Sequence, residues 1–318
     1  MSSSKLQDLR VLNLVTMPRP FFDQQCRILV QKGVSIETLE VPGRSHTGES
    51  RTLLDYIRFY PSVLRASFED YDIVHANYGL TGPLALAQPH RPVVLSLWGS
   101  DLMGDLGWVG RYSARLSGEV IVMSEEMNAE LNRDAHVIEH GVDFERFRPM
   151  SQSDAQREVG WNPLEKHVLF PYRPSRSVKN YPLAERVVTQ ADAELSEPVS
   201  LHAVYDVPHE KMPVYMNAAD ALLLTSRREG SPNSVKEAMA CNLPVIATDV
   251  GDARKRLTEV SPGGVADTES ELVARLTETL SSGKRSDGRE AISDLSLDQM
   301  GERLLEVYKK AQDSNDQK

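Results

Sequence analysis

The chain has 318 residues, of which 40% are apolar, 26% charged and 6% aromatic, and its formal net charge is −10. This apolar fraction is enough to build a packed core, so the composition excludes a wholly disordered chain. A surface this acidic repels phosphodiester backbones, and we therefore expect no nucleic-acid partner. The length corresponds to two domains or to one large domain.

In the first half of the chain, short β-rich apolar runs alternate with segments of helical length. The run Val93–Trp98 is almost continuously apolar, which is typical of strands that are covered on both faces, as in a parallel sheet. Repeated strand–helix units of this kind predict a doubly wound α/β architecture. The predicted strands are 11–15, 35–41, 72–76, 93–98, 119–123 and 136–139, and the predicted helices are 22–32, 53–68 and 125–133.

The second half repeats the pattern after a break at 143–154, where turn and cap residues replace the strand pattern. We therefore predict two Rossmann-like domains, 1–149 and 150–296, which face a cleft, followed by a helix and frayed tail over 297–318 that could pack back on the first domain. Ligands of such sheets bind beyond the carboxyl ends of the strands. The predicted strands here are 167–171, 199–204, 221–224, 244–248 and 264–266, and the predicted helices are 183–193, 272–281 and 297–311.

The densest motif follows the predicted strand 221–224 and continues into a helix. Ser231 is expected to cap this helix and Pro232 to occupy its first position, which leaves free backbone amides as an anion site. Glu237 lies five residues after Pro232, about 7 Å along the axis, from where its carboxylate could accept both hydroxyls of a ribose. Glu229 precedes the cap and would face a sugar. Either glutamate alone is better explained as a solvated helix-start charge, but the combination favours a functional site.

Glu229 and Glu237 resemble the Glu-x7-Glu motif of retaining glycosyltransferases of the family-4 type, which have two Rossmann-like domains facing a cleft (the GT-B fold). The surrounding residues are especially similar to members that build teichuronic acids and exopolysaccharides. The segment Val137–Pro149 resembles the one that joins the two domains in this family. The segments Asp72–Ala76 and Leu97–Asp101 resemble those that line the acceptor side.

The resemblance implies a set of donor-site residues. In the family, an arginine and a lysine on the loop after the first strand of the second domain hold the donor diphosphate. Lys179 matches the lysine, whereas Arg173 and Arg176 both remain candidates for the arginine, and Tyr172 replaces the usual glycine. The implied catalytic residues are Glu229, Lys179 and Arg173. The implied donor-binding residues are Arg176, Gly230, Ser231, Pro232, Asn233 and Glu237.

The resemblance also implies acceptor-side residues, with two departures from the family pattern. Trp98 stands where many members have histidine, and the stretch 16–22 lacks the usual pair of glycines. An indole can stack on a sugar face, although packing at the strand end is the commoner role. A histidine at a strand end is more often structural than a general base. The implied acceptor-side residues are His75, Trp98, Gly99 and Asp101.

The chemistry of the leaving group bears on the choice of cofactor. Breaking a sugar–diphosphate bond places negative charge on the leaving group, and that charge needs a stabilising partner. The Asp-x-Asp at Asp70–Asp72 is interpreted as a solvated strand start rather than as a metal site, so arginine, lysine and helix-end amides would supply the positive charge. We therefore expect metal-independent transfer without a cofactor, from a nucleotide-diphosphate sugar with UDP preferred over GDP. A retaining outcome is implied by the resemblance alone.

The expected partners are a nucleotide sugar and a sugar or lipid-linked acceptor, in polysaccharide, glycolipid or cell-envelope biosynthesis. Arg51, Arg58 and Arg65 are spaced by seven and would form a basic stripe on a helix, which fits either an anionic lipid surface or a solvated face. No apolar run approaches the roughly 20 residues of a spanning helix. We expect a cytoplasmic protein, with contact at the inner face of the membrane as a minority hypothesis. The alternatives are a sugar-nucleotide epimerase on the same fold and a non-catalytic nucleotide-sugar-binding module.

Overall fold

The computed structural model describes residues 9–43, 51–89 and 91–316. The chain divides into one unit of residues 1–141 and 297–318 and a second unit of residues 142–296. The sequence placed this boundary after Pro149, but the segment 142–149 packs within the second unit. Phe147 is fully buried there, and the guanidinium of Arg289 donates hydrogen bonds to the carbonyls of Phe144 (3.0 Å) and Phe147 (2.7 Å).

The first unit contains a parallel sheet in the order β2-β1-β3-β4-β5-β6. Strand β3 is buried at each position because it lies inside the sheet, between β1 and β4. The strands are β1 Arg10–Val15, β2 Ser35–Glu40, β3 Ile73–Asn77, β4 Val93–Ser96, β5 Glu119–Val122 and β6 His136–Val137. The helices between them are α1 Pro20–Gln31, α2 Leu53–Ser67, α3 Gly82–Leu86, α4 Ser100–Met103, α5 Gly107–Leu116 and α6 Glu125–Glu130.

The second unit contains a smaller parallel sheet in the order β11-β10-β9-β7-β8. Its strands are β7 Lys166–Phe170, β8 Val199–Ala203, β9 Ala221–Leu224, β10 Val245–Thr248 and β11 Gly264–Ala266. Its helices are α7 Gln152–Val159, α8 Tyr181–Glu194, α9 Met212–Ala218, α10 Asn233–Ala240, α11 Ala253–Leu257, α12 Glu269–Ser282 and α13 Gly288–Ala291. Two Rossmann-like parallel sheets confirm the predicted fold class.

The last helix, α14 Leu297–Asp316, belongs to the first unit. It packs against α1, and the ammonium of Lys32, the residue after α1, lies 2.6 Å from a carboxylate oxygen of Asp298. Its Tyr308 is fully buried in the core of that unit. Across the described ranges, no helix has both the length and the apolar character that crossing a membrane would require.

Candidate functional site

The candidate site lies where two neighbouring strands of the second unit end. Strands β7 and β9 are paired in parallel, so the loops that follow them leave the sheet at the same edge. The amide of Arg227 donates to the carbonyl of Val178 (2.8 Å), and the hydroxyl of Thr225 donates to the carbonyl of Lys179 (3.0 Å). These bonds join the two loops and hold the predicted lysine next to the predicted glutamate motif.

Lys179 and Glu229 form a largely buried ion pair. Their side chains are 6% and 15% exposed, and the ammonium donates to Oε1 of Glu229. The hydroxyl of Ser226 donates to the same oxygen (2.6 Å), which fixes the carboxylate from a second side. Burial lowers the pKa of Lys179, the charge of Glu229 opposes this shift, and the nearby Arg176 adds to it. The structure therefore brings two of the three predicted catalytic residues into direct contact.

Tyr172, at the position of the usual family glycine, packs against this pair. The ammonium of Lys179 lies 3.6 Å from the centroid of the Tyr172 ring, within the range of a cation–π interaction. The Tyr172 hydroxyl forms a hydrogen bond with Ser234, in the first turn of α10. Burial raises the pKa of this phenol, and the charges of Glu229 and Glu237 raise it further. Both glutamates of the motif are therefore within electrostatic reach of the Tyr172 side chain.

The two candidate arginines have different surroundings. Arg173 is about half exposed, forms an ion pair with Asp206 and lies 5.0 Å from the ring centroid of Tyr205, so its contacts are on the loop after β8. Arg176 is exposed, and its charge is felt by Lys179 and by Tyr172. The choice that the sequence left open therefore favours Arg176 as the cation beside Lys179, and the catalytic role predicted for Arg173 lacks support from its contacts.

Helix α10 begins one residue later than the sequence predicts. Its first residue is Asn233 and its N-cap is Pro232, which makes no side-chain capping bond. The predicted cap, Ser231, instead donates from its hydroxyl to a carboxylate oxygen of Asp252 (2.8 Å). The prediction of Ser231 as the cap was therefore wrong, because a carboxylate on a neighbouring loop holds its hydroxyl. The amides at the start of α10 still form the positive end of the helix dipole.

The loop before α10 packs closely against a second glycine. A Cβ atom at Gly251 would lie 2.2 Å from the carbonyl oxygen of Gly230, and Gly251 has a φ of +56°. Both features require glycine at position 251. The carbonyl of Gly230 also accepts the amide of Asp252 (3.2 Å), so the backbone at this predicted donor residue holds the loop against the segment after β10.

Glu237 contacts a residue that the sequence analysis missed. Its Oε1 lies 2.8 Å from Nε2 of His209, and the two side chains are 16% and 19% exposed. Burial opposes protonation of His209, but the hydrogen bond and charge of Glu237 prevail, and the pKa of His209 is raised. No local motif joins His209 to Glu237, since His209 lies on the loop after β8 and Glu237 lies in helix α10, 28 residues further along the chain.

Three of the four predicted acceptor-side residues are buried in the first unit, and Trp98 is the exception. His75 is fully buried, with Nδ1 2.7 Å from the hydroxyl of Tyr308 and Nε2 2.8 Å from the hydroxyl of Ser96. Burial lowers its pKa to about 3, so this imidazole is neutral at physiological pH. The structure does not place His75 on a surface that an acceptor could reach, because β3 directs it into the core against α14.

Asp101 is also buried, and it holds the loop after β4. Its carboxylate accepts hydrogen bonds from the amides of Gly79, Trp98 and Gly99, each 2.8 Å long. Burial raises the pKa of Asp101 to about 6, and these amides oppose the shift. The bond from the Trp98 amide explains why β4 ends at Ser96 rather than at Trp98. Asp101 and Gly99 therefore shape the turn, and a direct acceptor contact from Asp101 is not supported.

Trp98 is the most accessible side chain of the predicted acceptor-side set. Its ring meets Phe21 edge-on with a centroid distance of 4.8 Å and lies 6.0 Å from Tyr78 and 6.1 Å from His140. In the part of the chain that the structure describes, the indole N–H has no hydrogen-bond partner. Phe21 comes from the stretch that lacks the family glycines, so aromatic packing occupies this position instead.

The Asp70–Asp72 pair lies at the amino end of β3. A carboxylate oxygen of Asp72 accepts the amide of Arg10 (2.8 Å), and Asp70 lies 3.8 Å from the Arg10 guanidinium. This is the strand start that the sequence analysis described. The expectation that no metal is needed stays a prediction.

A comparison with protein families matches residues 180–282 to the family described as "Glycosyl transferases group 1". The matched segment includes β9, the loop with Glu229 and helix α10 with Glu237. The segment begins directly after Lys179. The family match therefore falls on the same part of the second unit that forms the candidate site.

Two curated relatives have names that describe sugar transfer. The chain is 28% identical over 189 residues to the lipopolysaccharide core biosynthesis mannosyltransferase LpsB of Rhizobium meliloti, covering 51% of this chain and 52% of LpsB. It is 25% identical over 296 residues to the putative teichuronic acid biosynthesis glycosyltransferase TuaC of Bacillus subtilis, covering 78% of this chain and 76% of TuaC. The match therefore spans about half the length of LpsB and about three quarters of that of TuaC.

The fold is shared with solved structures of low sequence identity. HepE from Anabaena, solved in complex with UDP, superposes with a TM-score of 0.69 at 16% identity, covering 94% of this chain and 99% of HepE. At this identity the likeness shows the fold alone. The chain thus has the GT-B architecture of two Rossmann-like units. The group 1 match over residues 180–282 and the named relatives support a glycosyltransferase.

Proposed function

We propose that this chain is a retaining glycosyltransferase that moves a sugar from a nucleoside-diphosphate donor to a hydroxyl of a sugar or lipid-linked acceptor, without a metal ion. The observation that carries the proposal is the largely buried Lys179–Glu229 pair, which lies within the electrostatic reach of Arg176 and is linked through Tyr172 to Ser234 in the first turn of α10. A buried ammonium next to helix-end amides is suited to a diphosphate. A carboxylate next to it is suited to sugar hydroxyls.

In the proposed reaction, the bond between the anomeric carbon and the diphosphate oxygen breaks, and a bond from the acceptor oxygen forms on the same face. The acceptor proton passes to the departing phosphate oxygen, so no side chain needs to act as a nucleophile. Lys179, Arg176 and the amides at the start of α10 stabilise the charge that develops on the leaving group. Glu229 orients the sugar, and Glu237 accepts the ribose hydroxyls.

The pathway and the base are inferred from the relatives. LpsB and TuaC are named for lipopolysaccharide core and teichuronic acid biosynthesis, which supports a role in polysaccharide or glycolipid synthesis of the cell envelope. HepE binds UDP with the same fold, which supports UDP over GDP as the donor nucleotide. The cations at the site supply the positive charge that a metal ion would otherwise provide, which supports metal-independent transfer.

A thermal-shift experiment tests the donor site. We expect UDP, in EDTA, to raise the melting temperature more than GDP or ADP does. Ligand-linked stabilisation is about 2.7 kcal/mol at a hundredfold excess over Kd, a shift of several degrees. If none of the three diphosphates stabilises the protein, or if EDTA abolishes the effect, the donor assignment or its metal independence fails.

NMR of the product should show a retained anomeric configuration. Conversion of the UDP-sugar without an acceptor would instead indicate an epimerase.

A surface of the first unit supports the membrane hypothesis. Helices α2 and α5 both pack against α3 and both expose apolar side chains together with arginines. Arg51 is not part of this surface, because its side chain is only 8% exposed and pairs with Glu40 (2.7 Å). Exposed apolar residues flanked by cations fit an anionic lipid surface. We define the exposed surface as Leu53, Leu54, Ile57, Arg58, Arg65 and Phe68 with Trp108, Tyr112, Arg115 and Leu116.

Co-sedimentation with vesicles tests this surface. We expect the protein to bind phosphatidylglycerol-containing vesicles at low salt and to be released as salt screens the arginines. The double variant Leu53→Glu with Trp108→Glu should lower the bound fraction severalfold, because it places charge in the apolar contact. The matched control is Leu164→Glu with Val30→Glu, since Leu164 is as exposed as Leu53 (77%) but lies in the second unit. Equal binding by both double variants would contradict the hypothesis.

A further inference from the structure

His209 is placed to orient the carboxylate that would bind the ribose. It begins a short 3-10 helix, His209–Lys211, on the loop after β8, and its Nε2 lies 2.8 Å from Oε1 of Glu237 on α10. The fully buried ring of Phe147 packs against the imidazole with a centroid distance of 5.3 Å. The carbonyl of Phe147 is itself held by Arg289 (2.7 Å). The imidazole is therefore supported from one side and hydrogen-bonded on the other.

The charges around His209 favour its protonated form. Glu237 faces it from α10 and Glu210 lies next to it in the chain, whereas Arg146, from the segment before α7, acts in the opposite sense. Burial also opposes protonation, but the carboxylates prevail. A hydrogen bond from an imidazolium to a carboxylate is stronger and more directional than a neutral one. The hydrogen bond between these two largely buried side chains restrains Glu237, and the raised pKa of His209 acts in favour of its stronger, charged form.

The remaining polar atoms of His209 and Glu237 show which hydrogen bonds the pair has already made and which it can still accept. Nδ1 of His209 is buried and, within the described residues, has no hydrogen-bond partner, so the imidazole uses its hydrogen bonding for Glu237. Glu237 makes no second hydrogen bond to any residue in the described ranges. Its Oε2 therefore keeps the lone pairs that two adjacent hydroxyl groups could donate to.

We propose that His209 is a positioning residue that fixes Glu237 for the vicinal hydroxyls of the donor ribose, and that this fixed carboxylate makes the site selective for ribonucleotides over 2′-deoxyribonucleotides. The inference rests on the proposed function, because it assumes a nucleotide at Glu237. A carboxylate that is already oriented has little freedom left to lose on binding. A ligand without the 2′-hydroxyl leaves a lone pair of this largely buried carboxylate without a hydrogen bond, and the affinity falls accordingly.

Calorimetry with UDP and 2′-deoxy-UDP tests the proposal. If UDP is not the diphosphate that binds, GDP and 2′-deoxy-GDP replace the pair. For the unmodified protein we expect the deoxy ligand to bind about tenfold more weakly, the loss of one hydrogen bond to a charged group. His209→Phe keeps an aromatic ring against Phe147 but removes the hydrogen bond to Glu237. In this variant the ratio of the UDP affinity to the 2′-deoxy-UDP affinity should fall to about two- to threefold. His209→Gln can still donate an N–H to Glu237 and should restore most of the ratio.

Two further variants distinguish the positioning role of His209 from the assignment of Glu237 to the ribose. His136→Phe removes a comparable His–Glu pair in the first unit, in which Nε2 lies 2.6 Å from Glu119, and it should leave the ratio unchanged. In Glu237→Ala, UDP and 2′-deoxy-UDP should bind about equally well, and most of the ribose contribution to UDP affinity should be lost. If Glu237→Ala lowers the ratio but His209→Phe does not, the positioning role is overturned and the ribose assignment stands. If Glu237→Ala leaves the ratio unchanged, the ribose assignment itself is overturned.

Discussion

Replacing Lys179 with methionine should lower kcat by about a hundredfold or more, because one preorganised donor to a developing anion contributes that much in enzymes. The Lys179 ammonium is buried against Tyr172, whose hydroxyl bonds Ser234 in the first turn of α10, so water cannot easily replace its charge. UDP affinity should fall as well, since the same charge attracts the diphosphate before the reaction. The measurement is the steady-state release of UDP from the donor sugar with acceptor present, together with calorimetry for UDP.

A control must distinguish a loss of catalysis from a loss of stability, because Lys179→Met leaves Glu229 largely buried and without its cation. Removing one partner of a buried ion pair costs about 3–5 kcal/mol, so the single variant should also melt at a lower temperature. The double variant Lys179→Met with Glu229→Gln removes both charges and should regain most of the melting temperature. It should not regain turnover. A double variant that regains both would show that Lys179 serves only the stability of the second unit.

The convergence of Lys179 with Glu229 could be predicted from the sequence because it depends on topology. Each residue lies on a loop that follows an apolar run, and parallel strands bring such loops to one edge of the sheet. The same reasoning gave the fold class, since near-continuous apolar runs such as the one that forms β4 identify buried strands with little ambiguity.

The details that the sequence could not predict depend on contacts between distant parts of the chain. Ser231 has the residue type of a helix cap, but Asp252, which comes after β10, holds its hydroxyl. Arg173 and Arg176 are both plausible diphosphate ligands by spacing, and only the position of Asp206 separates them. In each case a side-chain partner from another loop decides the outcome, and local spacing contains no information about that partner.

The acceptor-side residues show a related ambiguity in strand ends. A polar residue at the end of a buried strand can face a ligand or complete the core, and the sequence of apolar and polar residues along the strand is the same in both cases. For His75 the deciding group is the hydroxyl of Tyr308, which α14 contributes from the far end of the chain. For Asp101 the deciding groups are three backbone amides of the turns around it. Neither environment could be inferred from the motif that contains the residue.

Replacing Glu229 with glutamine should have opposite effects on turnover and on UDP affinity. The carboxylate of Glu229 binds the Lys179 ammonium, so an incoming diphosphate must compete for that cation. The neutral amide removes this competition and the repulsion between two anions, and UDP should bind about three- to tenfold more tightly. Turnover should fall about a hundredfold, because the sugar loses the group that orients it for attack.

A comparison of Glu229→Gln with Lys179→Met tests whether UDP affinity rises or falls when each charge is removed. Both variants should be slow, but only the lysine variant should bind UDP more weakly. Burial lowers the pKa of Lys179 and Glu229 counteracts that shift, so Glu229→Gln should lower this pKa further. Its gain in UDP affinity should therefore be present while the Lys179 ammonium is protonated. The gain should be lost as the pH rises and the ammonium deprotonates, at a lower pH than in the unmodified protein. If Glu229→Gln weakens UDP binding at every pH that is measured, the carboxylate is not a competitor of the diphosphate, and the pair has to be regarded as a structural support for the loop.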